Sequence, residues 1–119
     1  MNDEKADLRQ RTKEFALRII RLYDTLPRTG SVHVLGHQLL RAGTSVGANF
    51  REAHRARSNA EFIAKVGDSL KELEETAYWL ELLMDSGKIT EAKLKLLLDE
   101  TSQLTAILTS ITKKLRARS

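Results

Sequence analysis

The stretch from Ile63 to Met84, IAKVGDSLKELEETAYWLELLM, decides the fold. Ile63, Val66, Leu70, Leu73, Ala77, Leu80 and Met84 recur at alternating three- and four-residue spacing, a mean period of about 3.5 that belongs to a helix packed along its length against others. The pattern returns downstream in Leu94, Leu97, Thr101, Leu104, Leu108, Ile111 and Leu115. Upstream, Leu8, Thr12, Phe15, Ile19, Leu22 and Leu26 form a third line, and Leu35, Leu39, Ala42, Val46, Asn49, Ala53 and Ala56 a fourth, composed mostly of small residues.

Boundary signals divide these lines into four helices, expected at about 3–26, 31–57, 59–86 and 90–115. Pro27 and Gly30 stop the first, because proline cannot continue a helix and glycine weakens one. Ser31 is the expected N-cap of the second. Ser58 followed by Glu61 has the spacing of a capping box and opens the third, which should end near Gly87. Thr90 and Glu91 open the fourth with a cap and a favourable N-terminal charge. Connections this short force consecutive helices to run antiparallel. The expected architecture is all-α, a single domain over residues 1–119 folded as an up-down-up-down four-helix bundle.

Composition agrees with this class. The chain has 119 residues, of which 41% are apolar and 30% charged, with one Pro and no Cys. One core of this size stands alone, and without cysteine neither a disulfide framework nor a thiolate metal site can form. The first twenty or so residues alternate charged and apolar types and contain no apolar core of a signal peptide. No apolar run is long enough to span a bilayer. A cytoplasmic location with no membrane association is the default expectation.

Catalysis is not expected. A di-iron bundle site needs Glu-x-x-His on two helices, but the residues three before His33, His37 and His54 are Gly30, Val34 and Arg51. There is no glycine-rich phosphate loop and no histidine beside a nucleophile motif. Glu72 and Glu75 share a helix face and, without histidine partners, read as solvated or ion-paired. No catalytic residue, metal ligand or cofactor is therefore assigned.

The second helix carries another line, Leu40, Gly43, Gly47 and Phe50, rotated away from the first. Glycine inside a helix costs about 0.5–1 kcal/mol relative to alanine, so Gly43 and Gly47 imply close approach by something. Either this helix is the most buried one of a monomer, or the line faces another subunit. Trp79 and Leu82, off the main line of the third helix, favour self-association, since a large aromatic outside the intramolecular seam suits an interface. Leu40, Gly43, Gly47, Phe50, Trp79 and Leu82 are the expected contacts of a homo-oligomer. Ser45 and Asn49 are expected to be buried polar residues. Asn49 would fix helix register, and Ser45 would bond the carbonyl four residues back or join Asn49 in a network.

A net charge of +4 conceals a strong division. Residues 31–57 hold four Arg and one Glu, whereas residues 58–87 hold two Lys and seven acidic residues. Arg41, Arg51 and Arg55 fall on one outward side of the second helix, with Arg57 in the following turn. Such a stripe suits phosphate contacts with RNA or DNA; the competing reading pairs these arginines with the acids of the third helix, within or between subunits. Lys113, Lys114, Arg116 and Arg118 form a second basic cluster near the C-terminus. Aromatic residues do not interleave with these bases, so no stacking platform for single strands is indicated.

The run Gln38-Leu39-Leu40-Arg41-Ala42-Gly43-Thr44-Ser45-Val46-Gly47-Ala48-Asn49, followed by Glu52, resembles the second-helix motif of the bacterial four-helix bundle proteins encoded in intervening sequences of 23S rRNA genes, the S23 family. Ser69-Leu70-Lys71-Glu72-Leu73-Glu74-Glu75-Thr76, then Trp79-Leu80, is similar to that family's third-helix motif. The resemblance covers about residues 8–115; Ala42 stands where members usually have Ser. It implies a bundle assembled into a homo-oligomeric ring, most often a pentamer. It extends to the related accessory proteins of diversity-generating retroelements, which are basic pentamers linked to nucleic acid and a reverse transcriptase. Two functions are compatible with these features: a non-enzymatic accessory protein that binds nucleic-acid backbone through basic surfaces, or a structural scaffold for protein interaction with no nucleic-acid role.

Overall fold

A computed structural model of the chain describes residues 2–118, with side chains described for residues 7–118. It contains four helices, α1 (Asn2–Thr25), α2 (Gly30–Ala53), α3 (Asn59–Asp85) and α4 (Glu91–Arg118), and no strand among the described residues. They lie side by side in a body of 47 × 21 × 20 Å, somewhat longer than the roughly 36–42 Å of single helices with 24–28 residues at 1.5 Å rise. α2 packs against α1 and α3, and α4 packs chiefly against α3 with a lighter contact to α1.

The caps explain the boundaries. Ser58, extended at φ −153°, accepts a hydrogen bond from the Glu61 backbone N–H at 3.1 Å and starts α3. At the other end Gly87 takes φ +72° and donates its N–H to the Met84 carbonyl at 3.0 Å, the left-handed turn that glycine closes without a Cβ penalty. The start of α2 differs from expectation. The helix begins at Gly30, and Thr29, not Ser31, is the N-cap, with no side-chain cap bond. α2 also ends at Ala53, four residues before the expected Arg57, whereas α4 continues three residues beyond Leu115.

The α1 line is buried as read: Leu8, Thr12, Phe15, Ile19, Leu22 and Leu26 all face the core. In α3 the seam is Phe62, Val66, Ser69, Leu73, Thr76, Leu80 and Leu83. Ile63, Leu70, Ala77 and Met84 flank it half-buried. Every second position thus lies one residue earlier than the apolar pattern places it. Hydroxyls make this affordable: Ser69 Oγ donates to the Val46 carbonyl of α2 at 2.9 Å, and Thr76 Oγ1 to the Glu72 carbonyl at 2.8 Å. In α4 the expected line holds to Leu108, after which Thr112 is buried and Ile111 and Leu115 are half-buried.

α2 buries Val32, Gly36, Leu39, Ala42, Gly43, Val46, Gly47, Phe50 and Ala53. A Cβ on Gly43 would stand 2.7 Å from Ile19 Cγ1, and one on Gly47 would stand 3.2 Å from Thr12 Oγ1. The two glycines let α1 approach α2 within the chain. Gly43, Gly47 and fully buried Phe50 therefore belong to the core of the chain itself, a correction to their expected place at an oligomer interface. Leu40, Trp79 and Leu82 remain half-buried. Asn49 and Ser45 are likewise half-buried instead of buried. Ser45 Oγ donates to the Arg41 carbonyl at 2.7 Å, the bond to the carbonyl four residues back that its position suggested. Among the described residues the buried polar side chains are instead Thr12, Ser69, Thr76, Thr101 and Thr112.

α1 and α4 are tied by a polar clamp. Arg11 donates from Nε and Nη2 to the two Glu100 carboxylate oxygens at 2.8 and 2.7 Å, and Nη2 also reaches Gln103 Oε1 at 2.9 Å. The Glu100 hydrogen bond raises the Arg11 pKa further above its ordinary value, against a smaller opposing effect of burial.

Candidate nucleic-acid interface

The turn between α2 and α3 is built by local hydrogen bonds. Glu61 accepts at one carboxylate oxygen from the Arg57 backbone N–H at 3.4 Å while its own N–H is held by Ser58. His54 stacks edge-on against Phe50, ring centroids 4.9 Å apart at 86°. These contacts fix Arg57 at the N-terminal end of α3, where the helix dipole is positive.

α4, antiparallel to α3, brings its last turns to the same end. There Arg57, Lys114 and Arg118 surround a cavity of about 480 Å³ whose walls include Ala53, Ala56, Phe62, Ile111 and Leu115. One arginine of the first basic cluster and two members of the second thus meet in space, and the C-terminal cluster is helical through Arg118.

The four arginines of the expected stripe are all exposed, but they do not form one group. Arg57 belongs to the cavity. Arg51 and Arg55 lie on and just beyond the last turn of α2. Arg41 stands about 15 Å from Arg51 along the helix, at 1.5 Å per residue. It lines a second cleft of about 290 Å³ with Gln38, Lys71, Glu72, Glu75 and Trp79. Partial burial, and then the charge of Glu75, push the Glu72 pKa above the ordinary carboxylate value, and Arg41 opposes the shift. Arg41 therefore stands apart from the other three arginines, in a cleft of mixed charge with Lys71 and the two glutamates.

Two ion pairs occur among the described residues, Arg11–Glu100 and the exposed Lys65–Glu52 at 3.3 Å. Neither involves Arg51, Arg55 or Arg57, so pairing of these three with α3 acids within the chain is not what the fold shows. No group of three or more acidic or histidine side chains suited to a metal ion occurs among the described residues. No described helix is long and apolar enough to cross a membrane. Lys114 and Arg118 were legible as basic residues, but only their charge, not their proximity to Arg57, could be read from the chain. Tyr78, 54% exposed and 5.2 Å from the Trp79 ring, was not singled out by spacing, because it lies between seam positions.

The chain resembles known proteins both in sequence and in structure. The sequence profile described as "23S rRNA-intervening sequence protein" matches residues 4–110. A crystal structure at 1.70 Å of a protein with unknown function from the S23 ribosomal protein family, from Bacteroides thetaiotaomicron, is 42% identical; the match covers 88% of this chain and 97% of that one, with a TM-score of 0.83. No curated protein matches.

Proposed function

The chain belongs to the 23S rRNA-intervening sequence protein family, and from that premise we propose that it is a non-enzymatic, cytoplasmic accessory protein that binds RNA or DNA by the phosphate backbone. The observation that carries this reading is the convergence of Arg57, Lys114 and Arg118 on one cavity; Arg51 and Arg55, in and just after the last turn of α2, are exposed as well. Like charges gathered at one end raise the local potential and attract a polyanion. Self-association belongs to the same reading, with a homopentameric ring as the form implied by family resemblance. Leu40, Trp79 and Leu82 are its remaining contact residues. Repetition of a small basic patch around a ring would raise avidity without new contacts. Resemblance to retroelement accessory proteins adds a reverse transcriptase as a further partner.

The test is titration of labelled RNA and duplex DNA at several salt concentrations, with wild type and an Arg57→Gln, Lys114→Gln double variant of the cavity's cations. Binding should weaken about equally for all sequences, and each lost contact should remove roughly one unit or slightly less of log-log slope. Sedimentation equilibrium on both proteins separates direct loss of contacts from loss of assembly, and a wild-type species of only 13.5 kDa would refute the oligomer. A folded, assembled double variant with unchanged slope would overturn this surface. The scaffold reading is favoured by the aromatic pair Tyr78 and Trp79 on the acidic helix; salt-dependent dissociation of the oligomer without any nucleic-acid binding would establish it instead.

A further inference from the structure

We infer that the cavity at the Arg57 end of the bundle is a pocket for one unpaired nucleotide, its phosphate on the cationic rim and its base against the apolar floor. This rests on the nucleic-acid reading above and adds to it a preference for single strands. Cations on an open helix face, as at Arg51, suit phosphates of any strand and need no concavity. Arg57, Lys114 and Arg118 instead ring a hollow of about 480 Å³ floored by Phe62 and Ile111, within the size range of small-molecule pockets. An inorganic anion would satisfy the rim and leave the floor facing water, whereas an apolar ligand would leave three cations unused at the mouth.

A nucleotide has both parts on one small group. In a duplex the base faces are stacked and its pairing edges occupied, so only an unpaired nucleotide can present them. The exposed Asn59 amide at the mouth has a donor and an acceptor for a base edge, and a guanidinium can stack on a base face. The sequence shows no aromatic residue interleaved with the basic ones; the fold brings Phe62 of α3 to the same cavity as Lys114 and Arg118 of α4. Phe62 is only 6% exposed, so it serves as a wall of the pocket and not as an open platform.

The experiment compares a short single-stranded oligoribonucleotide with its blunt duplex by fluorescence anisotropy on the intact protein. Electrostatics alone favours the duplex, which has the higher charge density, so a single-strand preference cannot come from the rim. Wild type should bind the single strand roughly five- to tenfold more tightly, the scale of one sequestered base. Ala56→Trp, which fills the cavity, should bring that ratio close to one, and Ile111→Trp repeats the test should circular dichroism show the first variant unfolded. Equal affinities in wild type, with a normal salt slope, would overturn the pocket and leave the backbone-binding reading standing. A preference that survives in a folded, filled variant would also overturn it. Absence of binding to either strand would overturn both.

Discussion

Ile19 occupies the space that a side chain at Gly43 would need: a Cβ there would stand 2.7 Å from Cγ1 and 2.9 Å from Cγ2 of Ile19. Ile19 is fully buried and has nowhere to withdraw. Gly43→Ala should therefore destabilise the protein by about 1–3 kcal/mol through overpacking, despite the better helix propensity of alanine. Gly67 is the control, since a Cβ there meets nothing within 4 Å. Gly67→Ala should stabilise by roughly 0.5–1 kcal/mol. Urea denaturation of both variants decides the matter; effects of the same sign would show that the α1–α2 contact does not depend on glycine.

Ser69 provides the hydrogen bond between side chain and backbone that crosses from α3 to α2. Ser69→Ala should cost about 1 kcal/mol, the net worth of a buried neutral hydrogen bond. Ser69→Leu, matching the apolar pattern, should be worse, because the added volume enters a filled seam. If thermal denaturation ranks leucine above serine, the seam has room that the packing does not reveal.

The Arg11–Glu100 clamp joins the two helices with the lightest contact. A double-mutant cycle with Arg11→Gln and Glu100→Gln should return a coupling of roughly 0.5–1 kcal/mol, above the usual exposed pair because the geometry is bidentate and partly buried. A coupling near zero would mean that α4 is held by its α3 seam alone.

Glu72 is more easily protonated in the folded chain than in the unfolded one, through partial burial and the neighbouring Glu75. The folded pKa is raised, so its contribution to stability is fully present below the ordinary carboxylate value and is lost as pH rises through the raised one. At neutral pH Glu72→Gln should stabilise slightly, by about 0.2–0.5 kcal/mol as for other like-charge pairs on one helix face. The gain should vanish in acid. Melting curves across pH check this, and a variant less stable than wild type at neutral pH would show that attraction to Arg41 outweighs both causes.

The sequence by itself determined the four helices and most of their inward faces, because amphipathic periodicity and caps act within a few residues of chain. The α1 line needed no revision, since its apolar positions and its threonine all fall on one side. In α3 the period was legible but the seam was not, since Ser69 and Thr76 are core residues whose hydroxyls bond backbone carbonyls. Hydropathy counts such residues as surface; burial becomes favourable only once a carbonyl partner is in place.

Tertiary structure alone decided what the unusual residues are for. Gly43 and Gly47 announced a close approach, but whether the approaching group came from this chain or another depended on Ile19 and Thr12, more than twenty residues away. The same holds for charge. Arg57 and Lys114 lie far apart along the chain and become neighbours only because α4 returns antiparallel to the beginning of α3, a proximity that no local pattern encodes.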